Sequence, residues 1–516
     1  MRVRLLLALC CSIIICCCCL SQTITNQVQR NSRSLKLEEC IDLALANNLD
    51  IHIQRLNTDI ASYSLTAGYG AYDPNFSIFA RRDFLSTPAR IDPKNRNPDL
   101  PYDVTTDTAG LALKGSLPIG LDYRLAGNLG ERDMLTDFRS DTNLLTEFPT
   151  GFRHTNDFFA NAAATATQHL LRDAWIDQDR RLIQLRRKDL QISEQMMTLQ
   201  IMQTMLAVEL AYYDVIAGRE LVTVQEKALG LKKQFVSETK RRVEVGDLPP
   251  LDSDQAETQL QLTQTKLAAA RELLVNSENA LKLLLTDDFR SWLDVNLLPA
   301  EPLTATEQPV NRAESFKAAL KLRPDLAQAR LAVERSDVDI RFYRNQLFPA
   351  LDAFGRYGGI GVNDSGRAAA SDALHLRDKE YTYGVILTVP LTSIRERSDY
   401  RASQARKEIA QLQLQRAEQQ IFLQIADYVN GIESRFSQVG SARRARQYAE
   451  SALAAEEKKL QNGMSTSFIV LELQETLTSA RTTEVQALAD YNRMLAQLSF
   501  AEGRTLEHHR VDVEWK

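Results

Sequence analysis

The chain has 516 residues, a formal net charge of −5 and 25% charged residues. This length allows several compact domains. The charge balance is mildly acidic, and the sequence has neither a basic patch nor a run of stacking aromatic residues of the kind that nucleic-acid binders carry. The composition therefore excludes a nucleic-acid binder.

Residues 1–21 predict a signal peptide. Arg2 and Arg4 give a positive start, and residues 5–20 form an apolar stretch that is too short and wrongly flanked for a membrane-spanning helix. The alternative to cleavage after Ser21 is a lipoprotein leader with an acylated cysteine. All but one of the seven cysteines lie in this segment, and the remaining Cys40 is expected to be a buried residue of an amphipathic helix. We therefore expect an exported protein.

Residues 22–300 predict a first helix–hairpin–helix repeat. Apolar residues at helical spacing indicate a helix over residues 37–70, and alternation from Phe76 to Arg81 indicates a strand. A long helix is expected from about residue 171 to residue 245. After a turn at Gly246, leucines recur every seven residues, which is typical of a coiled-coil seam, at Leu260, Leu267, Leu274 and Leu281.

Residues 301–311 predict a linker to a second repeat at 312–505, which a tail at 506–516 follows. Landmarks return in the same order, because Asn48-Leu49-Asp50 corresponds to Arg323-Pro324-Asp325 and Gly246 corresponds to Gly463. The second repeat predicts helices over 312–346, 394–461 and 466–502. Matching landmarks in one order indicate two copies of one unit.

One predicted strand of the second repeat has the pattern of a membrane strand. Tyr381, Tyr383, Val385, Leu387 and Val389 alternate with other residues over a length typical of outer-membrane strands, about 9–11 residues. We expect these five side chains to face lipid, and an ordinary half-buried strand is the alternative. Because lipid forbids open sheet edges, other copies of the chain would have to complete a barrel.

These features, in this order, resemble the TolC-like outer-membrane efflux protein family over about residues 35–505. The family's acidic residue after the tip glycine is present as Asp252 in the first repeat, whereas the second has Ile469 there and Glu472 three positions later. His169 stands where the family has a proline between its strand and its helix, while the second repeat keeps Pro390.

The resemblance implies a mainly α fold with a small β part. Long antiparallel coiled-coil helices would form an α-barrel, and four strands per chain would join a transmembrane β-barrel completed by a homotrimer. The protein would lie in the outer membrane, in contact with its lipid, with a large periplasmic portion. It would be a passive exit duct of a tripartite efflux or type I secretion system, served by a periplasmic adaptor (a membrane fusion protein) and an inner-membrane pump of the RND or ABC type.

Residues 85–157 are extra material in the first hairpin. Alternation at 111–113 and 121–125 surrounds a turn at Pro118-Ile119-Gly120. We expect an added hairpin that projects on the outer side of the membrane. Six wall strands per chain are the alternative.

Two sets of site residues follow. The expected adaptor-docking tip comprises Val245, Gly246, Asp247, Leu248, Gly463, Met464 and Ser465; the alternative is that each glycine only ends a helix. Asp252 and Glu472 are candidate gate residues, because threefold symmetry would make each a ring of carboxylates that attracts cations. The alternative for these acids is a helix start that the helix dipole favours.

No catalytic arrangement is visible in the sequence, and the histidines lack metal-ligand spacing. We therefore expect no enzyme activity, metal or cofactor. The second functional hypothesis is a periplasmic coiled-coil scaffold or adhesin without a pore.

Overall fold

The computed structural model describes residues 32–87, 90–91, 98–99, 102–137, 152–246 and 248–511. The expected signal peptide lies outside the described residues. The chain divides into two compact units. The described parts of Met1–His52, Ile201–Phe316 and Ile425–Lys516 form unit 1, and those of Ile53–Gln200 and Lys317–Gln424 form unit 2.

The expectation of a mainly helical fold with a smaller β part is confirmed. In chain order the α-helices are α1 (Leu37–Asn47), α2 (Leu49–Tyr69), α3 (Gln178–Glu244), α4 (Pro250–Leu285), α5 (Arg312–Leu322), α6 (Pro324–Asn345), α7 (Gly366–Leu374), α8 (Ile394–Gln461), α9 (Ser467–Glu502) and α10 (Thr505–His508). The strands are β1 (Ser32–Leu35), β2 (Asn75–Thr87), β3 (Arg90–Ile91), β4 (Pro98–Asp99), β5 (Tyr102–Leu117), β6 (Leu121–Asp137), β7 (Phe152–His169), β8 (Asn296–Pro299), β9 (Ala350–Asn363) and β10 (Asp378–Thr388).

Both expected helices before the strands are interrupted at equivalent landmarks. α1 and α2 are separated by Asn48, and α5 and α6 by Arg323. The Asn48 side-chain oxygen accepts hydrogen bonds from the backbone N–H groups of Asp50 and Ile51, which caps α2. Pro324 begins α6, where its missing N–H costs no helical hydrogen bond. The sequence prediction of continuous helices over 37–70 and 312–346 was wrong at these two positions.

Unit 1 is built from long helices that pack along apolar seams. In α4, three of the four leucines spaced seven residues apart are buried: Leu260, Leu267 and Leu281. Ala256 and Leu260 pack with Val236 of α3. Leu453 of α8 packs with Val470 and Leu477 of α9. The expected coiled-coil seam therefore exists as a packed interface.

The N-terminal segment is fixed on the helices of unit 1. β1 pairs in parallel with β8. The Tyr212 hydroxyl donates a hydrogen bond to the carbonyl of Leu35 over 3.1 Å. Cys40 and Ile41 of α1 are buried, as the sequence predicted for Cys40. These contacts attach the start of the described chain to α3.

Unit 2 contains an antiparallel sheet of six strands in the order β10-β9-β7-β6-β5-β2, and β3 and β4 pair in a separate two-stranded sheet. The sheet has six strands where the sequence predicted four and a separate hairpin, so the prediction of a separate hairpin was wrong, while the number of strands in a membrane wall stays a prediction. β5 and β6 are the extra strands, and they pair with β2 on one side and β7 on the other. The turn at 118–120 was located correctly, but the hairpin around it is an internal part of the sheet.

Among the described residues, no helix is both long enough and apolar enough to span a membrane.

Two glycines of α3 provide a matched stability test. A methyl group at Gly230 would meet no atom within 4 Å, whereas one at Gly218 would lie 3.3 Å from the Cα of Leu274. Gly230→Ala should raise the free energy of unfolding by about 0.5–1 kcal/mol, because alanine loses less backbone entropy in a helix. Gly218→Ala should raise the free energy of unfolding by less, because α3 and α4 are already in close contact there. Thermal unfolding of both variants checks this, and an equal gain at both positions would contradict it.

Burial raises the pKa of the Cys40 thiol to about 12, and the charge of Glu39 adds to this effect. The unfolded thiol titrates near its ordinary value of 9.0. The neutral thiol therefore contributes stability that is fully present below about pH 9 and is lost as the pH rises towards about 12. We expect Cys40 to resist a disulfide reagent at pH 8 in the folded protein and to react promptly in denaturant. Prompt labelling of the folded protein, located by peptide mapping, would contradict this.

Candidate functional site

One face of the six-stranded sheet is apolar across its whole width. The pairing register places one residue of each strand in a continuous row: Tyr381, Tyr357, Ala164, Leu125, Leu113 and Phe76. Large side chains on this apolar face are exposed in the single chain, including Tyr383 at 81%, Ile78 at 75% and Val385 at 63%. A water-facing sheet would not leave so large a continuous apolar surface uncovered.

The predicted lipid-facing residues belong to this face. Tyr381, Tyr383, Val385 and Leu387 lie in β10, and the rings of Tyr381 and Tyr383 stack with centroids 6.5 Å apart. Val389 follows the last residue of the strand, so the strand is one residue shorter than the pattern predicted.

The apolar part of this face, which we call the apolar band, ends before the strands do. Beyond Ala80 and Ala109, the same face carries an ion pair in which Arg82 Nη2 lies 2.6 Å from Asp107 Oδ2. Helix α7 covers the face near Ala160, where its Ala369 and Ala373 are buried. The band therefore occupies about nine residues of each inserted strand, a length that fits a tilted membrane strand.

The opposite face of the sheet is more polar. Arg356 and Glu380 form an ion pair over 3.2 Å, and the Asn161 side-chain amide donates to Glu380 over 3.3 Å. His169 Nδ1 lies 2.6 Å from Asp352 Oδ1. A proline at this position, as in the family that the sequence resembles, could not make this contact. The sequence did not reveal the contact because Asp352 is distant in the chain.

Both predicted tip turns end a helix in a left-handed glycine. Gly246 and Gly463 have φ of +75°, and nothing lies within 4 Å of a methyl group built on either. The Met464 N–H donates to the carbonyl of Lys459 over 2.9 Å, which closes the helix end. Val245 and Met464 are exposed at 75% and 70%. The two glycines therefore share a left-handed φ, and an exposed apolar side chain lies next to each.

The remaining predicted tip residues differ in their surroundings. Leu248 is half-buried, and Asp247 lies outside the described residues. The Ser465 hydroxyl donates to Glu456 Oε1 over 2.5 Å, and Lys459 Nζ lies 2.9 Å from Glu456 Oε2. These two partners, Ser465 first, lower the pKa of the Glu456 carboxyl. They stabilise the turn that follows α8.

The predicted gate residues occupy different positions. Glu472 is exposed and lines a groove of about 640 Å³ between α4 and α9, with Leu251, Asp254 and Phe468. Asp252 lies in the first turn of α4 but is not among the residues that line this groove. The two predicted gate residues therefore do not line one common groove within the single chain.

Basic residues at the start of α3 form specific contacts that the sequence did not show. Arg181 Nε lies 2.7 Å from Asp339 Oδ1, and Lys188 Nζ lies 2.6 Å from Glu334 Oε2. Both acids belong to α6 in the second repeat. These charges therefore connect α3 to α6.

No group of three or more His, Cys, Asp or Glu side chains in the described part of the chain is arranged to hold a metal ion.

The comparisons with known sequences agree on one family. The sequence model described as "Outer membrane efflux protein" matches residues 316–504. "Outer membrane protein TolC" of Vibrio cholerae is 24% identical over 354 residues, which cover 66% of this chain and 76% of that protein.

Solved structures show the same fold. The CmeC outer membrane channel of Campylobacter jejuni superposes with a TM-score of 0.66 at 15% identity, covering 91% of this chain and 86% of that chain. The open state of the MtrE outer membrane channel of Neisseria gonorrhoeae gives a TM-score of 0.64 at 15% identity, with 91% and 89% covered.

The left-handed turn at Gly463 gives a local stability prediction. Gly463→Ala should destabilise the turn by about 1–2 kcal/mol, because a Cβ is unfavourable at positive φ. Gly463→Asn should cost less, since asparagine tolerates this conformation. Hydrogen exchange of the amides around Met464 measures the difference. Equal protection in both variants would contradict the backbone explanation.

Proposed function

We propose that the chain is a TolC-like outer-membrane efflux protein, located in the outer membrane with a periplasmic portion, and that it is the exit duct of a tripartite efflux or type I secretion system. It conducts substrates passively to the exterior. Energy comes from an inner-membrane pump of the RND or ABC type, so the duct itself needs no catalytic residue or cofactor.

One observation carries this proposal: the exposed apolar sheet has two open edges. Among the described strands, β2 and β10 each pair on one side only. Unpaired backbone groups in hydrocarbon cost several kcal/mol each, so such a sheet enters lipid only when its edges are closed. The edge strands of an antiparallel sheet with six strands run in opposite directions. β10 of one copy can therefore pair antiparallel with β2 of the next.

A homotrimer is the proposed closed form, because the family resemblance implies three copies. The helices of the three chains then form an α-barrel in the periplasm. The alternative of a coiled-coil scaffold or adhesin without a pore accounts for the helices but leaves the exposed apolar sheet without a role.

The tip turns are the proposed docking site for the periplasmic adaptor. Gly246 and Gly463 leave open space where a side chain would project, and Val245 and Met464 offer exposed apolar contacts. Leu248, Ser465 and Asp247 belong to the same proposed surface. Asp252 and Glu472 remain the proposed gate carboxylates, which would meet their counterparts from other copies at the threefold axis.

The assembly is tested with the protein extracted from membranes. We expect the processed protein to resist a carbonate wash, to have the native mass of three chains in detergent, and to conduct ions in a planar bilayer. A protein that washes off the membrane, or stays monomeric and does not conduct, would contradict the proposed duct.

Docking is tested with two substitutions of similar shape at one position. Gly463→Asn and Gly463→Asp both tolerate the left-handed turn, but only the second adds a charge. In a host that supplies the adaptor and pump, Gly463→Asp should reduce export far more than Gly463→Asn, because an unpaired charge buried in an interface costs about 2–5 kcal/mol.

Export and surface expression should be measured together for both variants. Unchanged export by Gly463→Asp at normal expression would remove this turn from the docking surface, and the duct proposal would still stand on its conductance.

A further inference from the structure

The inserted hairpin β5–β6 is fully paired within the sheet. β5 pairs with β2 from Asn75↔Lys114 to Thr87↔Tyr102. β6 pairs with β7 from Leu121↔Gln168 to Asp137↔Phe152. The hairpin therefore lies between β2 and β7 along almost their whole lengths, so removing it from the sheet would expose the backbone of both neighbours.

The inserted strands carry the same apolar band as the other strands. On the apolar face, Leu111 and Leu125 are exposed at 52% and 47%. Leu113 and Leu125 lie in the row that includes Tyr381 of β10, so the apolar bands of these strands meet in one register row. In β5 and β6, charged residues appear on this face only from Asp107 and Glu131 onward. The inserted hairpin thus matches the predicted lipid-facing strand in length and shares a register row with it.

On the opposite face, side chains pack the inserted strands against their neighbours. Three phenylalanine rings lie directly over a glycine of the paired strand: Phe79 over Gly110, Phe159 over Gly130 and Phe354 over Gly384. A methyl group on Gly110 or Gly130 would approach the ring to 2.7 Å or 2.2 Å. Aromatic cover of a cross-strand glycine is a device that fixes sheet register. Two of the three cases join an inserted strand to a neighbouring one.

The connections also have the arrangement of a membrane barrel. β5 and β6 are joined by the short turn at 118–120. Gly120 of this turn has φ of +77° and lies against Arg180 at the start of α3. At the opposite ends, the sequence has 14 residues between β2 and β5 and 14 between β6 and β7. Outer-membrane barrels have short turns on the periplasmic side and long loops outside.

We propose that both inserted strands are lipid-contacting wall strands, so that a trimer closes a barrel of eighteen strands rather than twelve. This inference rests on the proposed trimeric duct. Because barrel diameter grows roughly linearly with strand number, the outlet is about one and a half times as wide as that of a twelve-stranded wall. A barrel of this size leaves an aqueous channel, so the membrane outlet is not the constriction that limits cargo size.

Single cysteines on the two faces test the wall directly. Leu125→Cys lies on the apolar face of β6, and Arg124→Cys lies on the opposite face. Val385→Cys and Thr382→Cys are the matched pair in β10. Each protein is labelled with an environment-sensitive fluorophore in membranes that contain phospholipids with nitroxide-labelled acyl chains. The wild-type protein, whose Cys40 is fully buried, gives the background.

We expect acyl-chain nitroxides to quench positions 125 and 385 several-fold more than 124 and 382, which aqueous iodide should quench instead. Quenching at 385 without quenching at 125 would overturn the eighteen-stranded wall and leave the duct intact. No acyl-chain quenching at either position would overturn the proposed duct itself. The number of strands in an electron cryo-microscopy map of the wild-type oligomer, eighteen or twelve, decides the inference independently of any substitution.

Discussion

The backbone groups along the edges of β2 and β10 constrain the whole assembly. In water, an unpaired strand edge can be tolerated, because solvent satisfies its N–H and C=O groups. In hydrocarbon the same groups have no partner, and the cost accumulates along the strand. A sheet that exposes Tyr383, Ile78 and Val385 on one face is stable in lipid only with both edges closed. In the proposed barrel, oligomerisation is therefore a condition of membrane insertion rather than a later addition to a finished subunit.

The backbone N–H and C=O groups of the helices are paired within each helix, so a long helix leaves no open edge. Their stability comes from seams such as that of Leu260, Leu267 and Leu281, and from ion pairs between the repeats such as Arg181 with Asp339. Gly246 and Gly463 end two long helices with the same left-handed conformation. The two repeats thus have similar turns, although the residues that follow differ, with Asp252 in one and Ile469 in the other.

Local signals in the sequence predicted the local structure well. The helix over 394–461 has the bounds that its pattern indicated, and both glycine turns are where they were expected. The breaks at Asn48 and Arg323 were missed because helical spacing of apolar residues continues across them, although Pro324 was an available signal. The docking and gate roles of the tip residues stay predictions, since a single chain contains neither the adaptor nor the threefold axis.

The sequence alone did not predict the long-range pairing of the strands. Alternation around the turn at 118–120 identified a hairpin, but its place depends on the row that joins Leu113, Leu125 and Ala164 across three strands. In the same way, the contact of His169 with Asp352 joins residues that only the folded sheet brings together.

Closure of the sheet by neighbouring copies can be measured directly at the two edges. Ile78→Cys in β2 can be combined in turn with a cysteine at each position of β10 from Tyr381 to Thr388, followed by oxidation in intact membranes. If β10 of each copy pairs with β2 of the next, some of these pairs form disulfides between chains, giving a covalent ladder that stops at three subunits. Complete absence of crosslinks between chains, or a disulfide that joins β2 and β10 of the same chain, would contradict it.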